Sequence, residues 1–416
     1  MRGPSPAQSR GLGGGLAGKL LIGIGGLTVA GFSTAAALVN VVHYTKPEVA
    51  LAISAQDPVA LAARADQLIA EGGADSVGRA EIVELARASL NGQALNADAI
   101  RLIGLSRSVT DPMAAASIFT VGDKLGRRDL TTQLWLIESA VQKGDVAGAL
   151  RHYDAALRTR EESQQILLPV LTKAAEDPRL WSAVSVYVRR PTPWLGDWAR
   201  FAIRNSTQPG RIAGLLTQAG GLPKNAAFAA LELELLRRLV TEDHIADAVS
   251  FYRRLPGADL AVLRTAAFTA QTTDSRFPPI TWELFAQTGV TLGFEQSETG
   301  NRIQLNARID PGAGGILARK VVVVAPGRYR FRADQSLNIG TGATSVRWII
   351  RCGARFGDRA LWGGDVAVES VIKTVEGQFD LPTDCPAVSI ELQSSAPPSG
   401  DGTELLIASP RLSRVG

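Results

Sequence analysis

Cysteine and histidine are nearly absent from this chain of 416 residues, which has two of the first and three of the second. Without a Cys-x-x-Cys there is neither a dithiol redox motif nor a cysteine zinc site. His43, His152 and His244 are scattered, and none neighbours a nucleophile motif, which argues against Ser-His-Asp or Cys-His catalysis. A Gly-x-x-x-x-Gly-Lys-Ser/Thr phosphate loop is missing. Charge of one sign is never concentrated: the net charge is +4 and both signs are mixed along the chain, so nucleic acid is not an expected partner. Lysine is scarce, with 8 among 44 basic residues, and arginine, the better fork for carboxylate and phosphate, carries the rest. These absences leave no expected catalytic residue, metal ligand or cofactor.

What is present begins with an uncharged run from Leu20 to Val42, followed by His43, Tyr44 and Lys46. As a helix this run would be about 34 Å long, against a bilayer core of about 30 Å. Arg2, Arg10 and Lys19 precede it with no acid, whereas Lys46, Glu48 and Asp57 follow. The positive-inside rule then predicts residues 1–19 as a flexible cytoplasmic tail, 20–43 as a single transmembrane helix and the bulk of the chain exported; the Ala- and Arg-rich, Lys-poor composition points to a bacterium, hence to an inner membrane with the bulk of the chain in the periplasm. The competing reading is a cleavable signal peptide with Ala35-Ala36-Ala37 as its small-residue site. Gly26 and Ala30 form a small-xxx-small pair of the kind that packs two such helices together.

From 57 to 273 the apolar spacing is helical, punctuated by Gly72-Gly73, Asp111-Pro112, Gly144-Asp145, Asp177-Pro178 and Pro256-Gly257. A period of 34 puts Leu102, Leu136 and Val170 in register, as it does Ile103, Ile137 and Leu171, Ala115, Ala149 and Ala183, and Phe119, Tyr153 and Tyr187. The clearest copy runs from Gly144 to Leu157, where Ala149 and Ala156 allow close helix approach and Tyr153 fills the space between units. This arrangement resembles the tetratricopeptide repeat, with Gln133 and Ala140 standing where that motif has Trp and Tyr. The resemblance implies helical hairpins with a concave surface for other envelope proteins, or else a plain spacer.

Past Asp274-Ser275-Arg276-Phe277-Pro278-Pro279 the period changes to two. Tyr329, Phe331 and Ala333 alternate with Arg328, Arg330 and Arg332; Val346, Trp348, Ile350 and Cys352 share a face, as do Val388, Ile390 and Leu392. Ala325-Pro326-Gly327 reads as the turn of a hairpin joining 320–324 to the arginine strand. Seven or eight short strands over 280–416 predict an all-β sandwich. Cys352 and Cys385, confined to this part, read as a disulfide, the alternative being two buried thiols. The strand rhythm, the 324–331 segment and the Trp348 strand ending in Cys352 resemble the jelly-roll sandwiches of carbohydrate-binding modules.

Candidate ligand-binding residues are all in this part. Arg328, Arg330 and Arg332 form one outward row, and Arg347 and Arg351 a second. Adjoining in one sheet, the rows would offer guanidinium forks to an anionic polysaccharide; otherwise they form a solvated face that discourages edge pairing. Trp362, beside Gly363-Gly364, is a candidate platform for a sugar ring, while Trp282 and Trp348 are expected in the core. Asp358, Asp365, Glu369 and Glu376 are the carboxylates that a glycosidase would have to pair, although an enzyme is not the expected function. The combined expectation is a multidomain membrane-anchored scaffold, all-α repeats followed by an all-β sandwich that recognises a glycan or a partner protein in envelope polysaccharide assembly or export. A pure protein-interaction adaptor is the alternative.

Overall fold

A computed structural model describes residues 33–72, 75–159, 161–297, 300, 302–339, 344–354, 359–367 and 370–415. Most of the 20–43 run, and all of the 1–19 tail, lie outside the described residues. Residues 33–42 of the run are helical, about 15 Å of helix. Val39 there is buried against Ala50 and Ala60. Among the described residues no helix is long and apolar enough to cross a membrane. The transmembrane helix and the inner-membrane, periplasmic placement built on it are corrected accordingly: the described end of the run is about half a bilayer long, with Val39 covered by protein and Leu38 and Val41 exposed.

The chain divides into two compact units, 1–164 and 165–416. In the first, Pro58–Ala70 pairs with Ser76–Gly92, Ala97–Ser108 with Pro112–Leu125, and Leu130–Gln142 with Val146–Leu157. Short polar residues at the breaks are helix caps. Asp57, Asp75, Asn96, Asp111, Asp129 and Asp145 each accept a backbone N–H of the turn that follows, satisfying a donor that the helix itself leaves unpaired. At Asp57-Pro58 and Asp111-Pro112 the proline occupies the first helical position, where no N–H is needed. Arg101, buried, joins three segments by reaching Asp66 at 2.5 and 2.9 Å and Asp129 at 3.3 Å.

The 34-residue register carries through two helix pairs and then slips. Leu102, Ala115 and Phe119 are buried, as are Leu136, Ala149 and Tyr153. In the helices Glu161–Ala175 and Trp181–Arg189 the buried set moves one residue on: Val170 is 50% exposed while Leu171 is buried, and Val184 and Val188 are buried beside half-buried Ala183 and Tyr187. Pro169 lies inside the first of these helices. Membership of the tetratricopeptide family is therefore not carried forward; what stands is a helical region of capped hairpins.

In the second unit the helices Leu195–Asn205, Pro209–Ala219, Ala226–Thr241 and Ile245–Tyr252 precede the strands. Among the described residues ten strands follow: β1 Glu283–Leu284, β2 Val290–Gln296, β3 Ile303–Ile309, β4 Gly314–Val322, β5 Gly327–Ile339, β6 Ser345–Cys352, β7 Ala360–Ala367, β8 Lys373–Leu381, β9 Val388–Ser395 and β10 Thr403–Arg414. They form two antiparallel five-stranded sheets, β1-β4-β9-β6-β7 and β2-β3-β10-β5-β8. Between them lie Leu305, Ala307, Ile309, Tyr329, Phe331, Ala333, Val346, Trp348, Ile350, Val388, Ile390 and Leu392, the inward half of each alternation. The sandwich and both core tryptophans, Trp282 and Trp348, match the sequence pattern. The Ala325-Pro326-Gly327 turn does not make a hairpin. β4 and β5 belong to different sheets, so the turn carries the chain across the core, with Tyr329 Oη donating to Ala325 O at 2.7 Å.

One side of the sandwich is closed by the chain that precedes it. Ala266, Phe268 and Trp282 enter the core, and Val321 and Val323 donate backbone N–H to Pro279 O and Leu263 O. Fully buried Lys320 on β4 donates to Val262 O at 3.0 Å and to Ile280 O. Burial lowers this ammonium from its usual 10.5 to about 7. Glu283 on β1 takes Arg319 of β4 at 2.9 Å and also Arg237 of the helix Ala226–Thr241, which ties that helix to the sheet edge. Cys352 and Cys385 are joined in a disulfide that pins the loop before β9 to the end of β6.

Candidate functional site

Strand alternation dictates what the outer face of the β2-β3-β10-β5-β8 sheet carries. While Leu305, Ala307, Leu405, Ile407 and Leu337 point inward, Gln304, Asn306, Glu404, Leu406, Ala408, Ser336 and Asn338 point out. Ladder pairing lines these up in rows. Glu295 faces Gln304, which faces Ala408, which faces Asp334; Asn306 faces Leu406, which faces Ser336. The result is an open groove of about 670 Å³ across the sheet, with Leu406 and Ala408 in its floor and Ile372, 70% exposed, at its side.

A hydrogen-bond chain organises the groove. Asn306 Nδ2 donates to Glu404 at 2.9 Å and to Glu295 at 3.2 Å. Gln304 Nε2 donates to the same Glu295 oxygen at 3.0 Å, and Asn338 Nδ2 to the other oxygen of Glu404 at 3.0 Å. An ionised carboxylate only accepts, so each amide must turn its NH₂ toward it, which fixes the amide orientations by chemistry. Three carboxylates (Glu295, Asp334 and Glu404) line the groove against one guanidinium, Arg302, and no aromatic ring is among the described lining residues.

The arginines expected to bind are outward but divided. Arg328, Arg330 and Arg332 continue along β5 from the groove, on the same face, and Arg332 lies 3.8 Å from Asp334. Arg330 pairs with Glu376 of β8 at 3.2 Å, so this row is partly compensated across the ladder. Arg347 and Arg351 lie on β6 in the other sheet, with Arg347 3.5 Å from Asp365. The two rows therefore do not adjoin. Hydrogen bonding puts them back to back, since β6 pairs with β7 and β9 and never with β5.

Trp362 is not an outward platform. It is partly buried against the core, 5.7 Å from the Phe331 ring, and it covers Gly377. Of the carboxylates weighed for hydrolysis, Asp365 and Glu376 stand in opposite sheets, each beside an arginine, and Asp358 and Glu369 lie outside the described residues. His152 hydrogen-bonds Gln133 at 2.9 Å within its helix pair, far in sequence from the sandwich. Glu295, Gln304, Asn306, Asn338 and Glu404 escaped the sequence reading. Their signal was available in the clean alternation of Ile303-Gln304-Leu305-Asn306-Ala307-Arg308-Ile309, but amides and acids on an outer face look like ordinary solvated residues until the strand order unites them.

No protein-family profile matches the chain, and no curated protein does. Its neighbours among solved structures include carbohydrate-binding modules, beside glycoside hydrolases such as an α-L-arabinofuranosidase. One is TmCBM61 in complex with β-1,4-galactotriose, 10% identical over 32% of this chain and 88% of that one, with a TM-score of 0.25. Another is the CBM22-1 xylan-binding domain of Xyn10C from Paenibacillus barcinonensis, 14% identical over 32% and 85%, at 0.24. The module CBM6cm-2 of Cellvibrio mixtus lichenase 5A, in complex with cellotriose, is 13% identical over 32% and 91%, at 0.22.

Proposed function

We propose that the sandwich is a carbohydrate-recognition module whose ligand lies in the groove of the β2-β3-β10-β5-β8 sheet. The observation that supports this is the groove's composition: an apolar floor at Leu406 and Ala408 flanked by Asn306, Asn338, Gln304, Glu295 and Glu404. A sugar ring has an apolar CH face and a rim of hydroxyls that both donate and accept, and this pattern meets each part. Arg332, Arg330 and Arg328 extend the contact along β5, whereas Arg347 and Arg351 stand on a separate surface. The role is binding and not cleavage. Glu295 and Glu404 both accept from Asn306, which holds them as part of the binding surface.

Calorimetric titration of the full chain with neutral tetrasaccharides of glucose, galactose and xylose tests the reading. At least one should bind at millimolar concentration or below, and Leu406→Arg should abolish that binding without lowering the melting temperature. The proposal fails if none binds, or if the variant binds like the parent.

A further inference from the structure

We infer that a pocket at the end of the groove, held by Arg302 and Arg411, takes the carboxylate of a uronic acid in the bound glycan; the inference rests on the glycan-binding reading above. A β-bulge makes the pocket. In β10 Ala408 pairs with Asp334 of β5, and Arg411, three residues on, pairs with Arg332, two residues back, so β10 holds one residue more than its partner. Unbroken alternation from outward Ala408 would turn Pro410 outward and Arg411 inward. Instead Pro410 is buried and Arg411 is exposed, directly opposite Arg332 on the outer face. Arg411 meets Arg302, which precedes β3, at a pocket of about 470 Å³ bounded by Phe268 and Thr269 of the chain that closes the sandwich. Gln296 and Arg302 line both this pocket and the groove, so the two are continuous.

Arg302 and Arg411 are the only charged groups among the described residues lining the pocket, and both are positive. Glu298 of the β2–β3 connection lies outside the described residues. The nearby acids are engaged elsewhere. Glu376, opposite Arg332, lies 3.2 Å from Arg330; Asp334 lies 3.8 Å from Arg332 and accepts from Thr374 Oγ1 at 2.7 Å; Glu295 accepts from Gln304 and Asn306. Two guanidinium groups set directly opposite on paired strands repel each other, and a bound anion removes that repulsion. A carboxylate suits them because its two oxygens accept parallel guanidinium N–H bonds, each charge-assisted. Glu295 and Asp334 belong to the neighbouring row, about 7 Å along the strands, where the uncharged part of the sugar chain meets them.

Calorimetric titration of the full chain with matched pairs of glycans tests the inference. Tetraglucose and tetragalactose are each set against the same chain with one residue replaced by its uronic acid, and tetraxylose against tetraxylose bearing one glucuronic acid branch. In at least one pair the acidic member should bind at least about tenfold more tightly, the gain of one charge-assisted hydrogen bond, and this ratio should shrink as salt is raised. Arg411→Gln and Arg302→Gln, exposed positions made separately and together, should each lower the ratio, and the double variant should bring it to about one. Arg347→Ala, on the opposite sheet, should keep the parent ratio. An acidic member that binds no better than its neutral counterpart in every pair, or a ratio that survives in the double variant, overturns the inference and leaves glycan binding intact. Binding of no member, neutral or acidic, overturns the parent reading instead.

Discussion

The indole of Trp362 rests on the backbone of Gly377, so closely that a methyl group built on that glycine would come within 2.1 Å of Cε2. The two belong to different sheets, β7 and β8, and their contact closes the side of the sandwich opposite the Lys320 plug. A tryptophan beside two glycines thus serves packing, because the space it needs is supplied by a third glycine distant in sequence.

Gly377→Ala should cost about 1–3 kcal/mol, the usual range for overpacking. Trp362→Ala should cost up to about 3 kcal/mol by leaving a void. In the Trp362→Ala background the glycine substitution should be nearly neutral, since the clashing ring is gone. Urea denaturation of the four proteins checks this, and an unchanged Gly377→Ala penalty in both backgrounds would refute the contact.

Lys320 predicts a pH dependence with a definite sign. Its folded value is lowered to about 7, so between about 7 and 10.5 the unfolded chain holds a proton that the folded chain does not. Stability should therefore rise with pH across that window, by about 1.4 kcal/mol per unit at most, and this contribution should be flat below it. Lys320→Met should remove the slope while costing stability through the orphaned carbonyls of Val262 and Ile280. Denaturation midpoints from pH 6 to 10, read side by side, report it.

The Cys352–Cys385 bridge spans 33 residues. Reduction, or Cys385→Ser, should lower the stability of the second unit by about 3–4 kcal/mol through the freed loop entropy. Thermal or chemical unfolding with and without reductant measures the difference, and no shift would mean that the bridge does not form in solution.

The division of the arginines is itself testable. Arg347→Ala with Arg351→Ala should leave glycan affinity within about twofold, as these residues face away from the groove. Arg332→Ala, next to Asp334, should change affinity or charge preference measurably. The opposite ranking would move the binding surface to the β6 sheet.

Local chemistry made much of this fold legible before any coordinates. Asp57-Pro58 and Asp111-Pro112 announce helix starts because a short acid caps free N–H groups and proline needs none. The alternation at Tyr329, Phe331 and Ala333 announces a half-buried strand because side chains alternate across a sheet. The cysteine pair was readable from its confinement to one region. Period 34 was legible for as long as the helices stayed in phase: Leu171 keeps the place of Ile137, whereas Val170 loses the burial of Leu136.

Strand order, in contrast, is a long-range property. Alternation says which side of its own strand a residue occupies and nothing about the neighbouring strand. Only pairing through β10 brings Glu404 to Asn306, 98 residues away, and assembles the groove. The same pairing separates Arg330 from Arg347, and the packing of two sheets decides that Trp362 is covered. The hydrophobicity of 20–43 was equally plain, but a greasy helix is answered by lipid or by protein, and in the described part it is Ala50 and Ala60 that answer Val39.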